Sequence, residues 1–143
     1  MNWRDSYIEK HFGFLLEKGF TGPFVYMDKR EIRTDFIKED LIINVTYDGL
    51  YLVTLIKIKE LNKEFESGKK RSSDLHLDEY DSYDLHVLDA KKKIYSSIIC
   101  NDIYAKQLVY NSELLKRHPE ILNGDLKKLK KRYQLLRKLG LRL

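Results

Sequence analysis

Two short runs carry the side chains best suited to chemistry. Asp74-Leu75-His76-Leu77-Asp78 is echoed ten residues later by Asp84-Leu85-His86-Val87-Leu88-Asp89. In an extended strand Asp74, His76 and Asp78 project to one face, and imidazole with carboxylates is a donor set for a transition metal. The spacing fits no named metal motif. The expectation is therefore that these are polar outer-face residues of two short strands whose leucines point inward, with no metal and no cofactor. His11 falls inside the first helical pattern. His118 abuts Pro119, where a cation near a helix C-terminus is favourable on dipole grounds alone. Both read as structural, as does Cys100, because a free cysteine usually behaves as a small hydrophobe. Nothing resembles a nucleophile elbow, a phosphate-cradling glycine loop, paired thiolates or an HExxH helix. The chain is read as non-catalytic.

Charge is the stronger signal. The formal net charge is +5, and it is unevenly spread. From Asp74 to Asp89 there are six acidic residues and no Lys or Arg; from Lys127 to Arg142 there are eight basic residues and no acid. The acidic segment carries tyrosines among its carboxylates. Asp78, Glu79, Tyr80, Asp81, Tyr83 and Asp84 are the expected partner-binding residues, since aromatic anchors concentrate binding energy and complementary charge steers association. The alternative is nucleic-acid binding through Lys127, Lys128, Lys130, Lys131 and Arg132, several cations that can contact phosphates in a salt-dependent manner. That reading lacks an aromatic stacking platform, an RNP-like strand and a helix-turn-helix. A third reading is that the two segments simply attract each other.

These residues need elements to position them. A helix is expected over about Asp5 to Lys18, with Ile8, Phe12 and Leu15 on one face and Gly19 as a left-handed exit onto which Phe20 packs back. Strands follow at Phe24–Met27 and Ile32–Ile37, linked by Asp28-Lys29-Arg30, and Lys38-Glu39-Asp40 makes the next turn. Leu41–Tyr47 and Leu50–Ile58 alternate with period two around Asp48-Gly49, which suits a two-residue type I′ turn. That turn would set Tyr47 opposite Leu50, Val45 opposite Leu52 and Ile43 opposite Thr54. Apolar residues on both faces suggest central strands with something packed on each side. Leu75, Leu77, Leu85 and Val87 alternate like short strands. A helix from about Asn101 to His118 is ended or kinked by Pro119. Leu122, Leu126, Leu129, Tyr133 and Leu136 form an apolar stripe with Asp125 as N-cap and Gly140 near the exit.

The fold expected is α+β: an N-terminal helix, an antiparallel meander of about four strands, and C-terminal helices packed on the sheet. With 143 residues it fits one domain, 1–143, with a mobile loop near 60–73 rich in Lys, Glu, Ser and Gly. A single cysteine excludes an intramolecular disulfide and fits a reducing compartment. The charged N-terminus is unlike a secretory signal, and no apolar run approaches the ~20 residues that cross a bilayer. A cytoplasmic protein with no membrane partner is expected.

Three stretches carry a resemblance. Phe14-Leu15-Leu16-Glu17-Lys18-Gly19-Phe20, the meander with Asp48-Gly49, and Leu114-Leu115-Lys116-Arg117-His118-Pro119-Glu120-Ile121-Leu122-Asn123-Gly124-Asp125 together resemble small bacterial proteins of the toxin-immunity type. The resemblance implies a cytoplasmic, non-catalytic protein that binds and blocks one cognate toxin. The acidic segment would then act as a local mimic of a polyanion.

Overall fold

The computed structural model describes residues 3–48, 53–61, 80–88 and 103–139. The expected turn at Gly49, the loop at 62–73, His76 and its neighbours, Cys100 and Gly140 lie outside them.

The chain opens with α1 (Trp3–Phe12) and a single turn, α2 (Phe14–Glu17), where one helix was expected. The break falls at Gly13, whose residue type weakens a helix by about 1 kcal/mol relative to Ala. Gly13 N–H still donates to Glu9 O at 2.9 Å, and around the short α2 two bonds of three-residue spacing appear, Leu16 N–H to Gly13 O and Lys18 N–H to Leu15 O. Gly19 then takes φ +95°. Its N–H donates to Leu16 O and that of Phe20 to Leu15 O, a Schellman closure that brings Phe20 back onto Leu15, both of them buried.

Among the described residues five antiparallel strands follow in the order β1-β2-β3-β4-β5: β1 (Thr21–Met27), β2 (Glu31–Lys38), β3 (Leu41–Asp48), β4 (Val53–Leu61) and β5 (Tyr80–Asp84). β1 carries one extra residue between Thr21, opposite Ile37, and Phe24, opposite Asp35. Gly22 occupies this bulge at φ +134°, where an added Cβ would lie 2.7 Å from the Asp35 carbonyl oxygen. No other residue type fits there without moving the strand.

The β3–β4 register differs from the one a two-residue turn demands. Tyr47 faces Thr54, Val45 faces Ile56 and Ile43 faces Ile58. β4 is displaced by four residues, an even number, so every side chain keeps its face. The displacement matches Ile43 and Val45 with Ile58 and Ile56, all four buried in the core, in place of the Ile43–Thr54 pair expected. β3 is buried along almost its whole length, as a central strand should be.

The core lies between one sheet face and the helices. Ile32, Phe36, Ile43, Val45, Ile56 and Ile58 meet Phe12 and Leu15 from the N-terminal helices and Leu108, Leu114 and Leu115 from α3 (Ile103–Lys116). β5 pairs only with residues 57–61 of β4, leaving the backbone of Thr54 on an open side. Two amides one turn apart on α3 fill that gap. Gln107 Oε1 accepts from Thr54 N–H, and Asn111 Nδ2 donates to Thr54 O at 3.1 Å. Side chains thus satisfy the backbone of β4 where, among the described residues, no strand pairs with it.

Leu85 and Val87 form no strand. They sit in a 3-10 turn, Leu85–Leu88, and both are buried. The apolar stripe of the C-terminal region is divided as well. Leu122 belongs to a second 3-10 turn, Pro119–Asn123, closed by Gly124 at φ +84°, and α4 runs Lys127–Lys138. The N-cap is Leu126 where Asp125 was expected, and Asp125, one residue earlier, accepts from Lys127 N–H through Oδ1 at 3.2 Å. Leu122, Leu126, Leu129 and Leu136 are buried, as the spacing predicts.

His11 has its pKa lowered from 6.5 by burial first, then by Lys10 and Lys116, against a smaller opposite effect of Glu113. The unfolded chain therefore binds a proton more readily than the folded one, and stability is expected to fall as pH drops below about 6.5. Urea titrations at pH 7.5 and 5.5 should show a larger loss for the parent than for His11→Gln. Equal losses would mean His11 does not contribute.

Candidate interaction surface

β5 carries the described part of the acidic, tyrosine-bearing segment; Asp78 and Glu79 precede it, outside the described residues. Against β4, Tyr80 faces Leu61, Asp81 faces Glu60, Tyr83 faces Ile58 and Asp84 faces Lys57. Strand alternation separates these residues. Tyr83 shares the face of Ile58, a core residue, and its ring meets Tyr133 of α4 edge to face, with centroids 5.3 Å apart at 89°. Burial, more than the charges around it, raises its hydroxyl above the usual 10.0. Tyr83 is thus engaged by α4, while Asp81 and Ser82 are exposed and Tyr80 and Asp84 half-buried.

The basic helix is likewise divided. Lys130 Nζ lies 2.6 Å from a carboxylate oxygen of Glu60, and that hydrogen bond raises its pKa above 10.5. Arg132 Nε donates to Val87 O at 3.3 Å. These two residues seat α4 on β4 and on the 3-10 turn. Lys127, Lys128 and Lys131 remain exposed.

Register assembles a second acidic group that sequence distance conceals. Lys38 pairs with Leu41, Leu41 with Glu60, and Glu60 with Asp81, one row across four strands. The two-residue turn Glu39-Asp40 projects beyond this row and is tied to it by Leu61 N–H donating to Asp40 O at 3.0 Å. Glu39 takes φ +54°, a left-handed conformation uncommon for a residue with a side chain. Glu39, Asp40, Glu60 and Asp81 therefore gather at one end of the sheet. Between the turn, the end of β4 and the second 3-10 turn lies a cleft of about 190 Å³, whose lining includes Leu41, Leu61 and Leu122 as well as Lys38, Glu39, Asp40 and Glu60.

Lys38 fixes this end. Its Nζ donates to Lys18 O at 3.0 Å and to Leu122 O at 3.3 Å, and stands 5.6 Å from the centre of the Phe20 ring. One lysine thus ties the exit of α2, the end of β2 and the second 3-10 turn together. Leucines beside carboxylates suit a long cationic side chain, whose stem packs on apolar surface while its head stays with the charges. Glu39, Asp40 and Glu60 give no signal in the sequence, where they are ordinary turn and strand-end residues.

Among the described residues no three or more His, Cys, Asp or Glu gather in a way that would hold a metal ion. His86 lies in the first 3-10 turn, so the strand geometry expected of it does not form. Among the described residues no helix is long and apolar enough to cross a membrane. Compared with known protein families, curated proteins and solved structures, this chain matches none of them.

Proposed function

We propose that this chain is a non-catalytic, cytoplasmic interaction protein that docks a basic partner protein on the acidic end of its sheet, and that the partner is a toxin which it blocks. The gathering of Glu39, Asp40, Glu60 and Asp81 at one end of the sheet, the first three lining a cleft together with leucines and Lys38, is the observation that carries this reading. Exposed Asp40 and Asp81 supply charge that steers a cationic partner, and the cleft offers a place for one of its lysines or arginines. The nucleic-acid alternative keeps Lys127, Lys128 and Lys131 but loses Lys130 and Arg132 to internal contacts, which weakens it.

Affinity capture from host lysate at physiological salt, with and without nuclease, separates the two. The parent chain should retain one stoichiometric protein partner that survives nuclease and is toxic when expressed alone. Asp40→Lys with Asp81→Lys should weaken that capture by about 100-fold, and Lys127→Glu with Lys131→Glu should leave it intact. Recovery of nucleic acid, lost on lysine reversal, would overturn the proposal.

A further inference from the structure

Among the described residues β1 is the outer strand at the edge away from β5, and from Thr21 to Met27 it holds no charged residue in a chain that is 34% charged. Phe24, Val25, Tyr26 and Met27 are consecutive and exposed to 42, 40, 49 and 71%. Soluble proteins ordinarily protect such an edge with charge, and a long uncharged one is a template for another strand.

The backbone indicates what that strand is. Asp28 N–H donates to Glu31 O across the hairpin, so the polar groups of Asp28 face β2. Alternation along an antiparallel strand then turns those of Tyr26 and Phe24 toward β2 and those of Val25 and Met27 outward. Two outward residues separated by one are self-complementary. Under a two-fold axis at Tyr26, Val25 bonds Met27 of the other copy and Met27 bonds Val25, while the two Tyr26 rings meet on one face. The same register sets Asp28 of each copy opposite Phe24 of the other and brings the Lys29-Arg30 turn near the start of the other β1, where there is no charge. We infer that β1 pairs antiparallel about Tyr26 with β1 of a second copy of this chain, joining two sheets into one. The acidic end runs from the β2–β3 turn to β5 and includes no residue of β1, so this inference stands apart from the proposed function.

Sedimentation velocity tests it directly. The weight-average mass should rise from one chain toward two between about 1 and about 500 µM, the range suited to a small interface. Met27→Lys and Val25→Lys, at exposed positions that the single chain tolerates, should each raise the dissociation constant at least about 10-fold. In a Cys100→Ser background, Tyr26→Cys should form an intermolecular disulfide on mild oxidation, because facing non-bonded positions bring Cα atoms to about 4.5 Å. Phe24→Cys should crosslink far less. A single-chain mass throughout the concentration range, unchanged association in both lysine variants, or equal crosslinking from both thiols would overturn the inference.

Discussion

Phe36→Ala is expected to lower the unfolding free energy by about 3–5 kcal/mol, a large part of the 5–15 kcal/mol typical of a domain. Phe36 is fully buried on β2, opposite Ile43, and its ring lies 6.5 Å from that of Phe12 at a 32° tilt. Truncation removes the contact between the sheet and α1 together with the transfer free energy of the ring. The residues around it sit on different elements, fixed by hydrogen bonds of their own, and cannot close the space by moving one side chain. Urea unfolding checks this: the midpoint should fall while the slope stays constant. A loss below about 1 kcal/mol would mean that the β2–α1 contact is not the dense part of the core.

Gln107→Leu is the second large expected effect, about 1–3 kcal/mol, from a residue whose type suggests an ordinary helix surface. The substitution preserves bulk but leaves Thr54 N–H, in a buried setting, without its acceptor. Gln107→Glu retains an acceptor and should lose less. Hydrogen exchange gives the specific signature: the Thr54 amide should lose protection in Gln107→Leu well beyond its neighbours at Leu55 and Lys57, whose backbone groups alternate toward β3. Uniform deprotection of β4 would show instead that Gln107 acts only through general packing.

Local rules were legible because they depend on nearest neighbours along the chain. The Gly19 exit with Phe20 folded back, the turn at Glu39-Asp40, the alternation of β3 and β4, and the leucine stripe through Leu129 and Leu136 all follow from spacing and residue type. The break at Gly13 and the 3-10 turn at Leu85–Leu88 were not legible. In both places short-range bonds compete closely with the longer element, and packing decides between them.

The β3–β4 register shows the limit most clearly. Any even displacement keeps the same side chains on the same faces, so alternation cannot choose among them. The selection comes from what the strand pairs with, namely Ile56 and Ile58 matched to Val45 and Ile43, and Thr54 delivered to Gln107 and Asn111. The candidate site was half legible for the same reason. Asp81 stood out as part of a charged run, whereas Glu39, Asp40 and Glu60 became its neighbours only through two strand registers. Lys130 and Arg132 looked like members of a cationic face until their partners, Glu60 and the Val87 carbonyl, arrived from other elements.

By itself the sequence determined the α+β class, the helical and extended segments and the separation of charge, because propensity and periodicity act over a few residues. Tertiary structure alone decided which acids share one end of the sheet, which cations are spent inside, and that an uncharged strand stands at the sheet's outer edge. Those are matters of contacts between residues far apart in the chain, whose free energies no local pattern encodes.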